Sequence, residues 1–332
     1  MLILGHEEVR AALEGKEGSV VAAVRAAYRQ HARGRTAVPH SVFLRFPGND
    51  RNRIIALPAY LGQDDGGPGV AGVKWVASFP GNHEQGLPRA SAVMVINSMQ
   101  TGRPEAILEG SLISAQRTAA SAALAASVLG GDPPDEALAV IGCGVINREI
   151  VRFLQATLPS LRTVALFDID EARRRAFAHH CAESWPDLAV QTITSADEAL
   201  RRYPLISIAT TAAQPYAGTA GCKPGTLILH VSLRDLTAEA ILSSDNVVDD
   251  ADHVDREQTS VHLAEQQAGH RRFISGTIGE LLGDRRTCHR SPSKVTVFSP
   301  FGLGVLDLAV AQLVCQQAID SGAGIEVPHF SA

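Results

Sequence analysis

Apolar residues in the second half of the chain form short, continuous runs separated by helical or turn segments. Such runs are typical of strands that are covered on both faces of a parallel sheet, because a half-exposed strand would alternate apolar and polar positions. The runs lie at residues 138–141, 164–167, 188–193, 205–210, 226–232 and 246–250. This pattern predicts an α/β fold with a Rossmann-type, doubly wound parallel sheet.

A different pattern occupies residues 41–97, where short β-rich runs are broken by turns rich in glycine and proline. Several short strands of this kind predict an antiparallel sheet or a partial barrel. An amphipathic helix is predicted over residues 17–31, which place apolar side chains at helical spacing. A hairpin turn at 101–104 and an alanine-rich helix over 114–131 then lead into the second pattern.

The last segment, residues 295–322, contains a strand, a glycine-rich turn and an apolar helix. Its Gly-Leu-Gly turn resembles a second phosphate-binding loop, but no further βα unit follows it. We therefore expect this helix to return to the first domain. The predicted domains are an α+β domain formed by residues 1–118 and 300–332, and an inserted nucleotide-binding domain over residues 119–299.

The turn after the first buried run carries the residues that a dinucleotide site requires. Gly142 permits an abrupt change from strand to helix, and Gly144 leaves room for a pyrophosphate at the helix N-terminus. Asp168 ends the next run, where a carboxylate accepts hydrogen bonds from an adenosine ribose. The third glycine of the fingerprint is replaced by Asn147, which predicts looser packing of helix on strand. We predict NAD binding, the alternatives being a crossover that binds nothing, or NADP held by Arg173, Arg174 and Arg175.

Composition narrows the class of protein without naming a reaction. A length of 332 residues suits two domains, and a net charge of −5 argues against a general affinity for nucleic acid or anionic membranes. Five scattered cysteines indicate neither disulfides nor zinc, and His179, His180 and Cys181 would point in different directions on a helix, so no metal is expected. Without a leader or a run of roughly 18 apolar residues, the sequence predicts a soluble cytoplasmic protein.

Candidate chemistry comes from charged residues beside the apolar runs. Lys74 lies within an apolar strand and is either an edge-strand charge that faces water or an inward-facing group for proton transfer. Arg117 precedes a small-residue helix and is a candidate carboxylate ligand, as are Arg45 and Arg89 beside β runs. Asp235 follows a predicted parallel strand at the ligand-binding edge, and it either caps the next helix or acts as an acid or base.

Four segments together resemble the ornithine cyclodeaminase and mu-crystallin family. They are G-V-K-W-V at 72–76, R-T-A-A at 117–120, G-C-G-V-I-N at 142–147, and V-F-S-P-F-G-L-G-V-L-D at 297–307. The resemblance covers nearly the whole chain.

Other segments resemble one branch of that family, the N-(2-amino-2-carboxyethyl)-glutamate dehydrogenases that make 2,3-diaminopropionate for siderophores and peptide antibiotics. These segments are S-F-P-G-N at 78–82, G-L-P-R-A-S at 86–91, E-G-S-L-I-S-A-Q-R-T-A-A at 109–120 and S-L-R-D-L at 232–236.

The resemblance implies a homodimer whose substrate domains pair through their sheets, and an NAD-binding Rossmann domain. It makes Lys74 a catalytic or substrate-contacting lysine, Arg45 and Arg117 carboxylate ligands, and Asp235 an acid or base. Arg89 and Arg234 are further candidate ligands for an acidic substrate. The candidate cofactor contacts are Thr118, Gly142, Gly144, Val145, Ile146, Asp168, Thr210 and Ser232.

One departure from the family bears on the reaction. Cyclodeaminases carry a glutamate three residues before the proline of an E-x-M-P motif, whereas Ile55 precedes Pro58 here, so a cationic substrate would lose its partner. We expect NAD-dependent cleavage of N-(2-amino-2-carboxyethyl)-L-glutamate to 2-oxoglutarate and L-2,3-diaminopropionate. Asp235 would activate water, and Lys74 would manage protons on the departing nitrogen. The alternatives are an alanine or imine dehydrogenase, an altered cyclodeaminase, and a non-catalytic, crystallin-like binding protein.

Overall fold

The structure is a computed structural model that describes residues 1–63, 67, 69–131, 135–283 and 291–330, so that Cys288 lies outside the described residues. The described strands are β1 Leu2–Leu4, β2 Thr36–Ala37, β3 Val42–Phe46, β4 Asn49–Leu61, β5 Val70–Ser78, β6 Ala90–Asn97, β7 Pro104–Glu109, β8 Ala137–Ile141, β9 Thr163–Phe167, β10 Ala189–Thr192, β11 Leu205–Ile208, β12 Leu227–His230, β13 Asp245–Val248, β14 Ile274–Thr277, β15 Thr296–Ser299 and β16 Ile325–Glu326. The described α-helices are α1 His6–Leu13, α2 Glu17–Ala32, α3 Ser111–Leu129, α4 Val145–Thr157, α5 Glu171–Ser184, α6 Ala196–Arg202, α7 Ala238–Leu242, α8 Ala251–Val254, α9 Ser260–Ala268, α10 Ile278–Leu282 and α11 Gly304–Ser321.

The chain divides into two compact units. The first consists of Met1–Arg117 and Gly302–Ala332, and the second consists of Thr118–Phe301. Helix α3 begins in the first unit and continues into the second. It is long and apolar enough to cross a membrane, but 67% of its most apolar stretch is buried inside the protein. Such burial is typical of a helix in the core of a protein.

The first unit contains a mixed sheet of eight described strands, in the order β16-β1-β7-β6-β5-β4-β2 with β3 also on β4. Neighbours are antiparallel except for β1 and β7, which run parallel. Among the described residues, the strands at the two ends of this order, β16 and β2, do not pair with each other, so the sheet does not close into a barrel. The predicted helix at 17–31 is α2, whereas β1 and α1 were not predicted.

Helix α11 lies against β4, β5 and α2 and covers one face of this sheet. Glycines permit the close approach, because a Cβ atom at Gly72 would lie 3.1 Å from Leu308 Cδ2 and one at Gly304 would lie 3.2 Å from the Leu57 carbonyl oxygen. Nearly all of the first half of α11 is buried, including the charged residue Asp307. The helix predicted to return to the first domain therefore carries a carboxylate into the core of the first unit.

The second unit contains a parallel sheet of eight described strands, in the order β10-β9-β8-β11-β12-β15-β13-β14. This confirms the predicted α/β fold with a doubly wound sheet. Strands β11, β12 and β13 are buried along their whole length, as their continuous apolar runs predicted. The predicted run 188–193 is shorter in the structure, as β10 Ala189–Thr192 on the sheet edge, and β14 was not predicted. The strand order reverses between β8 and β11, the position at which such sheets bind ligands.

Candidate active site

Charged side chains of the first unit meet around the carboxylate of Asp307. Lys74 Nζ donates hydrogen bonds to both Asp307 oxygens at 2.8 Å and to Ser114 Oγ at 3.0 Å. Arg117 Nε donates to Asp307 Oδ1 at 3.1 Å. Two cations on one carboxylate leave a net positive charge. Arg117 keeps 12% of its side chain exposed, while Lys74 and Asp307 are almost fully buried. The cluster therefore favours an anion that reaches the guanidinium.

Lys74 is an inward-facing lysine on an interior strand, because β5 pairs with both β4 and β6. Burial lowers the pKa of Lys74 from 10.5 to about 8, with Asp307 opposing that shift and Arg117 adding to it. Burial acts to raise the pKa of Asp307, but the charges of Arg117 and Lys74 outweigh it, and the net pKa is lowered. Asp307 is therefore ionised at neutral pH, and Lys74 exchanges a proton near neutral pH.

The Gly-Leu-Gly turn before α11 makes room for this cluster. Gly302 has φ of +97°, and a Cβ atom there would lie 2.7 Å from Arg117 Nη1. Only glycine adopts such a backbone without strain. The Gly-Leu-Gly turn therefore makes room for the Arg117 guanidinium and lets Gly304 pack closely against β4. It does not belong to a second dinucleotide-binding βα unit.

In the second unit, the glycine turn that follows β8 has the shape of a phosphate-binding loop. Gly142 has φ of +94°, and a Cβ atom there would lie 2.4 Å from the Ala209 carbonyl oxygen after β11. Apart from its own chain neighbours, no described residue has an atom within 4 Å of the Cβ position of Gly144. No side chain caps α4 in the described structure, and the N–H groups of Val145 and Ile146 have no partner within the helix. Open space and free donors at a helix N-terminus fit a pyrophosphate.

Asn147 occupies the place of the third fingerprint glycine and has a structural task. Its Nδ2 donates to the carbonyl oxygens of Ile141 at 3.0 Å and Gly142 at 2.7 Å, and its Oδ1 accepts from Ser207 Oγ at 2.7 Å. The side chain is fully buried. It therefore ties helix α4 to β8 and β11 with hydrogen bonds where a glycine would allow direct packing.

Asp168 holds the same turn from the end of β9. Its Oδ2 accepts from Cys143 N at 2.7 Å, and its Oδ1 accepts from Asp170 N at 2.8 Å. Each oxygen has a further lone pair for a ribose hydroxyl. NADP was an alternative because three arginines follow Asp168. Two of them form exposed ion pairs, Arg173 with Asp170 and Arg175 with Glu171.

Asp235 is buried in the second unit, and both its carboxylate oxygens accept hydrogen bonds. Thr210 Oγ1 donates to Oδ1, Ser232 Oγ donates to Oδ2, and His230 Nε2 lies 3.4 Å from Oδ2. Burial acts to raise the pKa of Asp235, but its contacts with His230, Ser232 and Thr210 outweigh it, and the pKa is lowered. The alternative that Asp235 caps the next helix is wrong, because the Thr237 side chain caps α7.

Tyr216 connects this group to the protein surface. The residue is 48% exposed, and its backbone N–H donates to the Asp235 carbonyl oxygen at 2.9 Å. Burial of the hydroxyl, followed by the charge of Asp235 and a hydrogen bond with it, raises the pKa of Tyr216. The phenol is therefore neutral at physiological pH and remains able to donate.

The remaining candidate residues have contacts of other kinds. Arg45 is exposed, with its guanidinium 5.6 Å from the Phe43 ring centre, and Arg89 Nη1 donates to Ser78 Oγ at 2.9 Å. In the second unit, Arg234 Nη2 donates to the Glu257 carbonyl oxygen at 2.9 Å, and Thr118 is half-buried in α3.

The adjacent histidines His179 and His180, for which no metal was expected, lie on α5. His179 pairs with Glu183, and the His180 ring contacts Trp185 edge to face. A separate group, Asp255, His262 and Glu265, brings potential ligand atoms within 4.8 Å of one another. Arg271 already forms an ion pair with Asp255, so this group contains a positive charge of its own.

Sequence reasoning assigned no role to Asp307 or Tyr216. Asp307 had a usable signal, because it is a single acid inside the apolar stretch of α11. Tyr216 had none, because it lies in a loop whose partner, Asp235, follows a different strand.

The sequence profile described as the ornithine cyclodeaminase/mu-crystallin family matches residues 3–322. The chain belongs to this family. The resemblance found from the sequence motifs is thereby confirmed.

Within the ornithine cyclodeaminase/mu-crystallin family, the chain is 29% identical to an alanine dehydrogenase of Archaeoglobus fulgidus, covering 99% of this chain and 98% of that protein. It is 26% identical to the N-((2S)-2-amino-2-carboxyethyl)-L-glutamate dehydrogenase of Staphylococcus aureus, covering 98% and 97%. A solved structure of Thermococcus litoralis Delta(1)-pyrroline-2-carboxylate reductase, in complex with NADH and L-proline, superposes with a TM-score of 0.90 at 25% identity, covering 98% and 100%.

Proposed function

We propose that this chain is an NAD-dependent oxidoreductase that cleaves N-(2-amino-2-carboxyethyl)-L-glutamate to 2-oxoglutarate and L-2,3-diaminopropionate. Its product would enter the biosynthesis of a siderophore or a peptide natural product. The observation that carries the proposal is the buried cluster of Lys74, Asp307 and Arg117. It combines a lysine that exchanges a proton near pH 8 with an arginine that has room for a carboxylate.

NAD fits the second unit on the geometry of the glycine turn. The turn would hold the pyrophosphate with the N–H groups of Val145 and Ile146, and Asp168 would accept from the ribose. When bound, NAD supplies the acceptor for the hydride that leaves the glutamate α-carbon. The ion pairs of Arg173 and Arg175 support NAD over NADP, because these cations already have carboxylate partners.

The side chains have separate tasks in the proposed reaction. Arg117 holds the carboxylate of the glutamate moiety, and neutral Lys74 takes the proton that the secondary amine releases as its C–N bond becomes an imine. Water adds to the imine carbon, and the carbinolamine collapses to a ketone and a free amine. Lys74 returns its proton to the departing nitrogen.

Asp235 is proposed to activate the water. Its lowered pKa keeps the carboxylate ionised at neutral pH, as a base requires. Because it is buried, we propose that the proton travels through Thr210 or Ser232, whose hydroxyls already donate to it. Tyr216 provides a neutral donor between this group and solvent.

Oxidation of alanine, or reduction of a cyclic imine, is the second candidate function. It is favoured by 29% identity to an alanine dehydrogenase and by the superposition on a pyrroline-carboxylate reductase. A cyclodeaminase is disfavoured by Ile55, and a non-catalytic binding protein by the retention of Lys74 and Asp235.

A homodimer is also proposed, from the face of the first sheet that α11 does not cover. Val42, Leu44 and Trp75 are 63%, 44% and 42% exposed. Val42 and Trp75 share a row, since both pair with Ala56. An apolar sheet face of this kind suits a second copy of the same sheet. We expect a cytoplasmic dimer.

The test is incubation of the protein with NAD and each candidate substrate, followed through NADH absorbance and product identification. We expect NADH, 2-oxoglutarate and L-2,3-diaminopropionate in equal amounts from N-(2-amino-2-carboxyethyl)-L-glutamate. Turnover of alanine, proline or ornithine without turnover of that substrate would refute the proposal.

A further inference from the structure

A buried histidine lies beside Asp235 in the second unit. His230 is the last residue of β12, which lies between β11 and β15 in the parallel sheet, and it is 1% exposed. Its Nε2 lies 3.4 Å from Asp235 Oδ2 and accepts a hydrogen bond from the backbone N–H of Asp235 at 3.3 Å. Its Nδ1 lies 3.1 Å from Oγ of Ser299, the last residue of β15. Both ring nitrogens of His230 therefore have a defined partner.

These hydrogen bonds assign one tautomer to the neutral ring of His230. A backbone N–H can only donate, so Nε2 accepts from Asp235 N and carries no hydrogen. A neutral imidazole then has its hydrogen on Nδ1, which donates to the Ser299 hydroxyl oxygen. The nitrogen that can still take up a proton consequently faces Asp235, on the side of its Oδ2 atom.

The proposed reaction leaves a proton on the Asp235 carboxylate, after water has passed it through Thr210 or Ser232. Although burial acts to raise the pKa of Asp235, its contacts hold that pKa below the usual value, so the carboxyl group gives up a proton readily. The two hydroxyls already donate to Asp235, and the phenol of Tyr216 stays neutral because its pKa is raised. Of the described side chains that contact Asp235, His230 offers the nitrogen that can accept this proton.

We propose that His230 is a positioning residue that acts through Asp235 and holds the first proton which Asp235 collects from water. In this step the Oδ2–H bond of protonated Asp235 breaks and an Nε2–H bond forms. The carboxylic acid and the imidazole become a carboxylate and an imidazolium, and no electrons pass to or from a cofactor. The Nδ1–H group donates to Ser299 in both states, so the ring keeps its orientation. The inference rests on the proposed function for the origin of the proton.

The water step gives this transfer a purpose, because it needs a base twice. A first proton leaves water as it adds to the imine, and a second leaves the hydroxyl of the carbinolamine as it collapses. Once His230 holds the first proton, Asp235 is a carboxylate again and can accept the second. One of these two protons ends on the departing amine and the other is released to solvent, so the balance closes with the proton that Lys74 returns.

The test is rapid-mixing kinetics of His230→Gln with NAD and N-(2-amino-2-carboxyethyl)-L-glutamate, followed through NADH absorbance. A glutamine oxygen can still accept from the Asp235 N–H, but the amide takes up no proton near neutral pH. Hydride transfer precedes the water step, so we expect one NADH per site to form at the rate of the unsubstituted protein. The steady-state kcat should fall by roughly tenfold or more, which makes the first turnover visible as a burst.

Two further variants separate this effect from damage to the fold. His253→Gln removes another buried histidine of the same unit and should leave the first turnover and kcat within about twofold of the unsubstituted protein. Asp235→Asn should show the same burst as His230→Gln. Combining these two substitutions should lower kcat no further than Asp235→Asn alone, because the two residues act as one unit.

NMR of the ¹⁵N-labelled histidine rings supplies a measurement that needs no turnover. At about pH 9 imidazoles are neutral, and we expect the His230 signal, assigned by its loss in His230→Gln, to be that of the Nδ1–H tautomer. An Nε2–H tautomer would overturn the proposal, because the nitrogen beside Asp235 would then be occupied.

The kinetic results also distinguish the failure of this proposal from the failure of the proposed function. An unchanged kcat in His230→Gln, or a first turnover slowed as much as kcat, would overturn the role of His230. Absence of NADH with this substrate in the unsubstituted protein would refute the proposed function instead. Alanine then takes its place in the same comparison, with the same burst expected, because the imine formed from alanine also needs water to give a ketone.

Discussion

Lys74 and Asp307 form a buried ion pair across 233 residues of sequence, with Nζ 2.8 Å from each carboxylate oxygen. Burial of two charges is costly, and apolar residues of similar volume often serve a core equally well. We propose that the pair has a function beyond packing. It holds a lysine of lowered pKa in one orientation beside Arg117, on a rigid strand.

Replacing the carboxylate should disturb both the fold and the chemistry. Asp307→Asn leaves Lys74 and Arg117 facing each other without a counter-charge, and breaking a buried pair from one side costs about 3–5 kcal/mol. We expect a lower Tm and a kcat reduced by roughly a hundredfold. Asp320→Asn is the matched control, because Asp320 is exposed at the other end of α11. Equal behaviour of the two variants would contradict the role of Asp307.

The pH dependence follows from the protonation of Lys74. The pKa near 8 belongs to the ammonium group, so the neutral base predominates above it. We expect kcat/KM for oxidation to rise with pH, with its midpoint near 8, and to level off about one unit higher. Because Asp307 raises this pKa, Asp307→Asn should move the midpoint to lower pH. A midpoint that stays in place in this variant would assign the titration to another group.

The secondary structure and the glycine turn could be predicted from the sequence, because they depend on local pattern. The side-chain clusters could not, because they depend on contacts between segments that are distant in the sequence. Continuous apolar runs predicted the parallel strands, and Gly142 predicted the turn after β8. Asp307 was overlooked because its partners, Lys74 and Arg117, lie on β5 and α3. Asn147 looked like a defect in a motif, because its bond to Ser207 on β11 exists only in the folded sheet.

Gly302 should be required for the position of Arg117. In Gly302→Ala the new methyl group would meet the guanidinium, and φ of +97° would strain any other residue. We expect KM to rise by roughly tenfold or more, since a charge-assisted hydrogen bond contributes about 1.5–3 kcal/mol. Gly322→Ala provides the control, because Gly322 has φ of +66° and its Cβ position has no described atom within 4 Å apart from those of its own chain neighbours. A similar KM in both variants would separate Gly302 from substrate binding.

Gly142 should be required for the shape of the turn that is proposed to bind NAD. In Gly142→Ala the Cβ atom would lie 2.4 Å from the Ala209 carbonyl oxygen, so the turn has to move. We expect the Kd for NAD to rise at least about tenfold, a change of roughly 1.4 kcal/mol. Gly269→Ala controls for backbone strain in the same unit, because Gly269 has φ of +71° and its Cβ position has no described atom within 4 Å apart from those of its own chain neighbours. Unchanged NAD affinity in Gly142→Ala would place the dinucleotide elsewhere.

The most direct test of the central claim is NADH formation from N-(2-amino-2-carboxyethyl)-L-glutamate by the Lys74→Met variant, with NAD binding measured separately. Methionine keeps the unbranched, apolar part of the side chain and removes the amine with its proton chemistry. We predict a kcat lower by about 10²–10⁴-fold, with the Kd for NAD within about twofold of the unsubstituted protein. Turnover within about threefold of that protein would contradict the assignment of Lys74 as the proton-transferring residue.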